Sequence, residues 1–131
     1  MRASLEFHDS EIGSVSADGT SLVLRFSKAY VHRSQGEPGV ASGEGYLQAA
    51  ELVFSDATWS GQFPDNSDSI HDGSILIDGE ALLLLPQPFE CNSRAQAQFT
   101  FTSGRTLLVH ANGVRCSLTG DAHWIESYEG N

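Results

Sequence analysis

The stretch that decides the fold covers residues 96–118 and reads QAQFTFTSGRTLLVHANGVRCSL. Apolar and polar side chains alternate along it, and two glycine-containing clusters, at 103–105 and 112–113, interrupt the alternation. A period of two is typical of strands that bury one face. Clusters containing Ser-Gly or Asn-Gly are typical of the turns that join such strands. The stretch therefore predicts antiparallel strands connected by tight turns.

A two-residue turn at Asn112-Gly113 would set the register of the strands on either side of it. In that hairpin Val109 faces Cys116, and one face is apolar: Leu107, Val109, Ala111, Val114, Cys116 and Leu118. The other face is mostly polar: Thr106, Leu108, His110, Arg115, Ser117 and Thr119. One buried and one hydrated face is the pattern of an antiparallel sheet. We therefore predict a hairpin centred on Asn112-Gly113.

The strand before it predicts the length of its own loop. Phe99 and Phe101 alternate with polar residues, and they belong on the same buried face as Val109. Because strand side chains alternate, only an odd number of loop residues puts them there. We predict a three-residue loop, Ser103-Gly104-Arg105, in which Gly104 adopts the unusual backbone angle.

Two Asp-Gly pairs, at 18–19 and 78–79, predict two more hairpins. Around the first pair, alternation places four side chains together: Val15, Leu22, Leu24 and Phe26. Its second strand is expected to continue through residues 29–31 toward Arg33. Around the second pair, residues 75–77 and 82–85 are apolar on both faces. We favour a fully buried central strand pair there over the alternative, an oligomer contact.

The remaining segments are less regular. Residues 34–45 and 60–72 are rich in Gly, Ser, Asp or Pro, which predicts loops. Residues 46–59 include a helix-compatible stretch, but the surrounding β pattern favours a strand. With 131 residues, residues 1–131 are expected to form a single all-β domain. The predicted fold is an antiparallel β-sandwich or flattened barrel of about eight to ten strands, built mainly of consecutive hairpins.

Charge limits the classes of partner. Seventeen Asp and Glu oppose seven Lys and Arg, which gives a net charge of −10 with His neutral. Phosphate backbones and anionic membranes attract cationic surfaces, so we expect neither nucleic acid nor membrane as a partner. The acidity serves solubility on one interpretation, and on the other it attracts a basic protein partner over long range. A homo-oligomer is compatible with both.

Targeting and redox features point to the cytoplasm. No apolar run suited to a signal peptide opens the chain, and the longest apolar run, Ala81–Leu85, is far shorter than the ~20 residues of a membrane span. We therefore expect a cytoplasmic location, where a disulfide between Cys91 and Cys116 is disfavoured. Cys116 is predicted to lie in the core and Cys91 in a loop.

Motifs that carry enzyme chemistry are missing from the sequence. It contains no Gly-x-Ser-x-Gly elbow and no glycine-rich phosphate loop. The acidic stretch 65–73 does not fit a calcium loop, because counting from Asp68 places Ile70 and Gly79 where oxygen ligands are required. We expect no cofactor and no metal. The pattern favours a protein without catalytic activity.

The histidines carry the alternative interpretation. His110 is predicted to lie opposite Arg115 on the polar face, where Gln98 and Thr119 would complete a ligand groove. An exposed histidine without a ligand is the simpler interpretation of this pattern. The alternative function is a small-molecule or metal-binding β-barrel, which could include an enzyme that uses the histidines.

A short element occurs twice. Residues 7–12, Phe-His-Asp-Ser-Glu-Ile, are echoed by residues 70–75, Ile-His-Asp-Gly-Ser-Ile, and an Asp-Gly turn and a Leu-rich strand follow each copy. The candidate binding residues come mainly from this repeat: His8, Asp9, Glu11, His71 and Asp72. On one hypothesis the pairs are junctions that enter two hairpins, with the Asp carboxylates accepting backbone N–H groups. On the other they surround one pocket.

The first copy also resembles the Phe-His-Asp-Ala-Glu-Val motif of small bacterial immunity proteins of polymorphic toxin systems and of related uncharacterised families. In those families, as here, the motif leads into a strand, a turn and a second apolar strand. A Trp-Pro segment precedes the motif there, whereas residues 3–6 here are Ala-Ser-Leu-Glu. The resemblance implies a non-catalytic protein that binds and blocks a toxin. We therefore expect a protein-binding module, toxin-neutralising in function.

Overall fold

The computed structural model describes residues 1–130, and within that range it contains strands but no helix. Twelve strands follow one another: β1 (Arg2–Asp18), β2 (Ser21–Ser34), β3 (Gly43–Ser55), β4 (Thr58–Gly61), β5 (Ile70–Ile77), β6 (Glu80–Leu82), β7 (Leu84–Gln87), β8 (Phe89–Cys91), β9 (Ala95–Phe101), β10 (Thr106–Ala111), β11 (Gly113–Leu118) and β12 (His123–Tyr128). They form two antiparallel sheets, which confirms the predicted fold class. The described range accordingly offers no helix that could cross a membrane.

The larger sheet has the strand order β7-β1-β2-β3-β11-β8, and β12 follows β11 along β3. The smaller sheet has the order β4-β10-β9-β5-β6. Strands β7 and β8 lie at opposite edges of the larger sheet, although only Pro88 separates them in the chain. Five interstrand spacings of roughly 4.8 Å would part those edges in a flat sheet, whereas one residue spans about 3.5 Å. The larger sheet must therefore curl round, which gives a flattened barrel.

The core draws side chains from both sheets. Four phenylalanines are its largest fully buried side chains, Phe7, Phe54, Phe99 and Phe101, and Phe26 is only 2% exposed. The ring centroid of Phe99 lies 5.6 Å from that of Phe7 and 6.5 Å from that of Phe54. Phe101 is also adjacent, at 6.4 Å. Phe99 is therefore the phenylalanine that is adjacent to each of the other three fully buried ones.

Two predicted hairpins form with their turns displaced by one residue. Asp18 pairs with Ser21, so the first turn is Gly19-Thr20. The β9–β10 loop is residues 102–104, because Phe101 and Arg105 close it through a backbone hydrogen bond, and Gly104 has a φ of 93°. Each turn has the predicted number of residues, so the same side chains as predicted share a face. The expected side chains are buried, with Val15 half-buried: Leu22, Leu24, Phe26, Ala97, Phe99, Phe101, Leu107 and Val109.

The predicted hairpin at Asn112-Gly113 is wrong. Strand β10 pairs with β4 and β9 in the smaller sheet, whereas β11 pairs with β3 and β8 in the larger one. The chain crosses between sheets at Asn112. The burial pattern was nevertheless predicted correctly, since Val109, Ala111, Val114 and Cys116 are all buried. Alternation specifies which side chains point inward, and it does so equally for strands that pair and for strands that face each other across a core.

The fully buried central strand pair is also wrong. Strands β5 and β6 form a hairpin through Asp78-Gly79, but β6 is an edge of the smaller sheet and β7 is an edge of the larger one. Leu85 is buried, while Leu76 and Leu83 are 41% and 63% exposed. The apolar run changes sheet at Leu83, so its outward side chains meet solvent. An oligomer contact at these leucines stays a prediction.

The ambiguous segment 46–59 is strand at 46–55, within β3, and at 58–59, within β4, as favoured from the sequence. Cys116 is buried as predicted, and burial raises its pKa to about 11. Cys91 lies at the end of β8 and not in a loop. Both cysteines are free.

Candidate functional site

The first His-Asp pair lies on a bulge in β1. Glu6 pairs with Tyr30 and Glu11 with Lys28, so residues 7–10 lie opposite the single residue Ala29. The fully buried Ser10 closes this bulge: its hydroxyl donates to the Glu6 carbonyl at 2.6 Å and accepts the Tyr30 N–H at 2.9 Å. Asp9 has a φ of 67°. His8 and Asp9 are consequently exposed at the outside of the bulge.

The second pair also lies on a bulge. In β5, Ile70 pairs with Phe101 and Asp72 with Thr100, which leaves His71 as the extra residue. Gly73 takes the place that Ser10 has in the first copy, and it is buried. A Cβ at Gly73 would come within 2.9 Å of the Phe99 ring. Both copies of the repeat are therefore bulges in which a small buried residue follows the His-Asp pair. In this respect the two copies are structurally equivalent.

The two bulges, residues 7–10 and 70–73, are in contact and are called the paired bulges below. His8 Nδ1 donates to the His71 carbonyl oxygen at 2.6 Å, and the two imidazole centroids are 6.1 Å apart. The hydrogen bond to His71 raises the pKa of His8, partial desolvation opposes it, and the charges of Asp9, Glu6 and Asp72 add to the increase. Residues 63 positions apart in the chain thus form one surface that carries two imidazoles among carboxylates.

The predicted role of the two Asp carboxylates as acceptors of backbone N–H groups is wrong. Within residues 1–130 the only contact at hydrogen-bond or ion-pair distance for Asp9 is His8 Nε2, at 3.4 Å, and Asp9 is 72% exposed. Asp72 is also exposed. Ser10 performs the capping that was expected of Asp9. The exposed carboxylates are therefore available to a partner. Glu11, the remaining candidate from the repeat, is half-buried and forms a β-bridge with Ser69.

The other two candidates, His110 and Arg115, do not share a groove. Both are exposed, but His110 lies on the smaller sheet beside Gln96, and Arg115 lies on the larger sheet between Val53 and Glu90. The predicted groove depended on the hairpin at Asn112-Gly113, and it is absent because that hairpin does not form.

Sequence reasoning missed a cluster of polar side chains on the outer face of the larger sheet. His32 Nε2 lies 3.2 Å from Glu6 Oε1, and His32 Nδ1 lies 3.0 Å from the Tyr128 hydroxyl. The Tyr30 hydroxyl donates to Glu126. Alternation around buried Val31 could have placed Tyr30 and His32 on one outward face. The two residues of β12 could not have been found, because nothing local indicates that β12 lies along β3.

This tyrosine–histidine cluster attaches β12 to the sheet. Gly45 makes room for it, since a Cβ there would clash with the Tyr30 hydroxyl. Burial raises the pKa of Tyr30 and of Tyr128, so both hydroxyls stay protonated at neutral pH. The His32 side chain is only 13% exposed. The contacts of Tyr30 with Glu126 and of His32 with Tyr128 are suited to holding β12 against the sheet.

A second network fixes the loop beside the paired bulges. Asp68 is 9% exposed, and its carboxylate accepts hydrogen bonds from the Ser69 N–H, the Thr102 hydroxyl and the Ser103 hydroxyl, at 2.9, 2.8 and 2.6 Å. Its carbonyl accepts the Ile12 N–H at 2.8 Å. Desolvation works to raise the pKa of Asp68, but the hydrogen bonds from Ser103 and Thr102 outweigh it and lower the pKa. Asp68 therefore joins both sheets next to the candidate site.

Comparison with known proteins adds no assignment: no family model, curated protein or solved structure matches this chain. Within residues 1–130, no group of three or more His, Cys, Asp or Glu side chains is arranged to hold a metal ion. The His-Asp pairs of the paired bulges are exposed. Shallow depressions of about 200 to 480 Å³ elsewhere on the surface are lined by other residues.

Replacing Ser10 with alanine is expected to destabilise the protein by about 1–3 kcal/mol, because the buried Tyr30 N–H loses its acceptor. Asp9→Asn is the matched control on the same bulge. It should change stability by less than about 0.5 kcal/mol, since Asp9 is exposed and asparagine also adopts a positive φ. Urea unfolding of the two variants checks this. Equal losses would show that Ser10 does not close the bulge.

Proposed function

We propose that this chain is a non-enzymatic protein-binding module and that the paired bulges are its contact surface for a basic partner. The observation that carries the proposal is the meeting of the two His-Asp pairs on one exposed surface. The Asp9 carboxylate is not required for local backbone hydrogen bonding, because Ser10 provides it in the first bulge. Exposed polar groups that the fold does not use are candidates for recognition.

Charge and shape support a protein as the occupant. Asp9 and Asp72 are exposed within a molecule whose net charge is −10, so a cationic surface would be attracted over distance. Small ligands are usually enclosed in concave sites, whereas His8, Asp9, His71 and Asp72 are exposed and line none of the five depressions described above. The likeness of residues 7–12 to the immunity-protein motif narrows the proposal to neutralisation of a toxin. The cytoplasm is the compartment in which such a protein would act.

Coexpression with the protein encoded by the neighbouring gene tests the function. A toxin-neutralising module should restore growth when that protein is toxic, and the two should copurify. The double variant Asp9→Asn with Asp72→Asn should lose rescue while melting like the wild type. The control removes two exposed charges elsewhere, with Glu80→Gln and Glu90→Gln, and should keep rescue. Loss of rescue in both variants would assign the effect to net charge and not to the paired bulges.

Association with that partner should slow as salt is added. Long-range attraction increases association rates by about tenfold or more, and the screening length falls from ~10 Å at 0.1 M to ~3 Å at 1 M ionic strength. Stopped-flow measurement across this range is expected to show a steep decrease for the wild type and a shallower one for the double Asp variant. A rate that is flat across the range would contradict a basic partner.

A further inference from the structure

The free edges of the two sheets differ in length. Strands β4, β6, β7 and β8 form edges of only three or four residues, and β7 contains Pro86. Short strands and proline are common means of preventing an edge from pairing with another chain. Strand β12 has six residues, contains neither Lys nor Pro, and within residues 1–130 pairs only with β3. Its outer edge is therefore longer than the edges that β4, β6, β7 and β8 present.

Large apolar side chains are exposed on this strand. Trp124 is 57% exposed and Ile125 is 44% exposed. Trp124 pairs with Tyr46 and Glu126 with Gly45, so Ile125 is the extra residue of a bulge. Tyr46 and Gly45 are consecutive on β3 and point to opposite faces. Trp124 and Glu126 therefore lie on opposite faces too, and a strand added to β12 would meet an indole on one face and a carboxylate on the other.

The formal charges of the chain segment that contains β12 have a single sign, although Lys28 of β2 lines a depression beside Asp121 and His123. Residues 119–130 contain three carboxylates, Asp121, Glu126 and Glu129, and no Lys or Arg. All three are exposed. A second copy of this chain would bring the same charges to the edge and be repelled. A cationic segment would instead be attracted to it.

We propose that the outer edge of β12 is a strand-addition site for a short extended segment of a partner protein in which basic and apolar side chains alternate. The segment's backbone would hydrogen-bond to the open edge, its apolar side chains would pack on Trp124, and its basic side chains would lie near Glu126. This mode of recognition draws affinity from the backbone and selectivity from alternate side chains. The site is separate from the paired bulges.

Three synthetic peptides provide the test: one alternating Lys and Val, one alternating Glu and Val, and the Lys-Val peptide with N-methyl groups on the amides of one edge. Binding is measured by calorimetry, and amide hydrogen exchange locates the contact. The Lys-Val peptide is expected to bind and to slow exchange in β12. The Glu-Val peptide should not bind, and N-methylation should weaken binding about tenfold or more, because it removes backbone donors.

Two exposed apolar residues provide matched variants. Trp124→Ala is expected to weaken binding of the Lys-Val peptide about tenfold. Leu83→Ala, which removes an exposed side chain away from β12, should leave binding unchanged. Unaltered binding by Trp124→Ala, or by the N-methylated peptide, would overturn the proposal. So would sedimentation showing that unliganded protein forms dimers which Trp124→Ala dissolves, since the edge would then hold a second copy.

The proposal can fail independently of the function assigned to the paired bulges. Asp9→Asn with Asp72→Asn should leave Lys-Val peptide binding to β12 unchanged. Peptide binding that depends on those two carboxylates would place the contact at the paired bulges and remove the case for β12. The opposite result is also possible: the double Asp variant loses rescue, and the wild type does not bind the Lys-Val peptide. That result would support the proposed function of the paired bulges and contradict the proposed strand-addition site at β12.

Discussion

Phe99→Ala is expected to lower the free energy of unfolding by about 3–5 kcal/mol, the usual cost of emptying a well-packed phenylalanine site. Phe99 is fully buried, and its ring contacts those of Phe7, Phe54 and Phe101. It also packs against Gly73, next to the second His-Asp pair. Because aromatic groups of both sheets surround the ring, no single neighbour can fill the cavity. Urea unfolding measures the loss.

Gln98→Ala is the control on the adjacent position of β9. Gln98 is exposed on the outer face of the smaller sheet, so its replacement should cost less than about 0.5 kcal/mol. Phe99→Ala and Gln98→Ala both shorten a side chain of β9. Phe99 points into the core, whereas Gln98 points to solvent. Similar losses at the two positions would contradict the register of β9 with β10.

Asp68→Ala is expected to have the next largest effect, about 3 kcal/mol. Hydrogen bonds to a charged group contribute roughly 1.5–3 kcal/mol each, and they are not additive when they share one carboxylate. Removal of the carboxylate leaves the Thr102 and Ser103 hydroxyls and the Ser69 N–H without this acceptor. Asp65→Asn in the same loop is the control. Asp65 is 72% exposed and pairs with Arg105, so its loss should cost at most about 1 kcal/mol.

The Asp68 network also predicts a dependence of stability on pH. The folded pKa of Asp68 lies below the ordinary value of an aspartate, so the ionised carboxylate stabilises the native state above that ordinary pKa. This contribution is lost as the pH falls through the folded pKa. Asp68→Asn keeps the shape and removes the charge. The stability difference between wild type and Asp68→Asn should be constant above about pH 5 and should decrease toward pH 2.

Thermal unfolding of both proteins over this pH range measures that difference. The comparison with Asp68→Asn cancels the titration of the other carboxylates, which both proteins share. A difference that does not change with pH would show that the ionised form of Asp68 contributes nothing to stability. Replacement of Ser103 by alanine should reduce the pH dependence, because the Ser103 hydroxyl is among the groups that lower the pKa of Asp68.

Much of the candidate site was predictable because its signal is local. The repeat at residues 7–12 and 70–75 marked two equivalent elements, and both are bulges that lead into hairpins. Their contact, from His8 to the His71 carbonyl, could not be read from the sequence, because it depends on how β1 and β5 meet across the two sheets. For a related reason the sequence did not show that Ser10, and not Asp9, makes the backbone hydrogen bonds of the first bulge. Which of two neighbouring polar side chains turns inward at a bulge depends on backbone angles that alternation does not specify.

By itself the sequence determined which side chains are buried by the strands around residues 15–26 and 97–116. Side chains alternate about every extended backbone, so the pattern around Val109 and Cys116 indicated their burial without knowledge of a partner. The odd number of residues in the loop that contains Gly104 followed from the same alternation. Net charge, a sum over residues, likewise needed no structure.

Only the tertiary structure decided which strands pair. The alternation on either side of Asn112 fits two arrangements equally well: a hairpin, or two strands in opposed sheets. The second arrangement forms because β11 pairs with β3. The apolar run at 82–85 likewise lies at two sheet edges and not in a centre. The attachment of β12 beside β3, and with it the cluster around His32, depends on residues about 80 positions apart in the chain. The physical reason is that alternation is a property of one strand's backbone, whereas pairing is a competition among all the strands for the same edges.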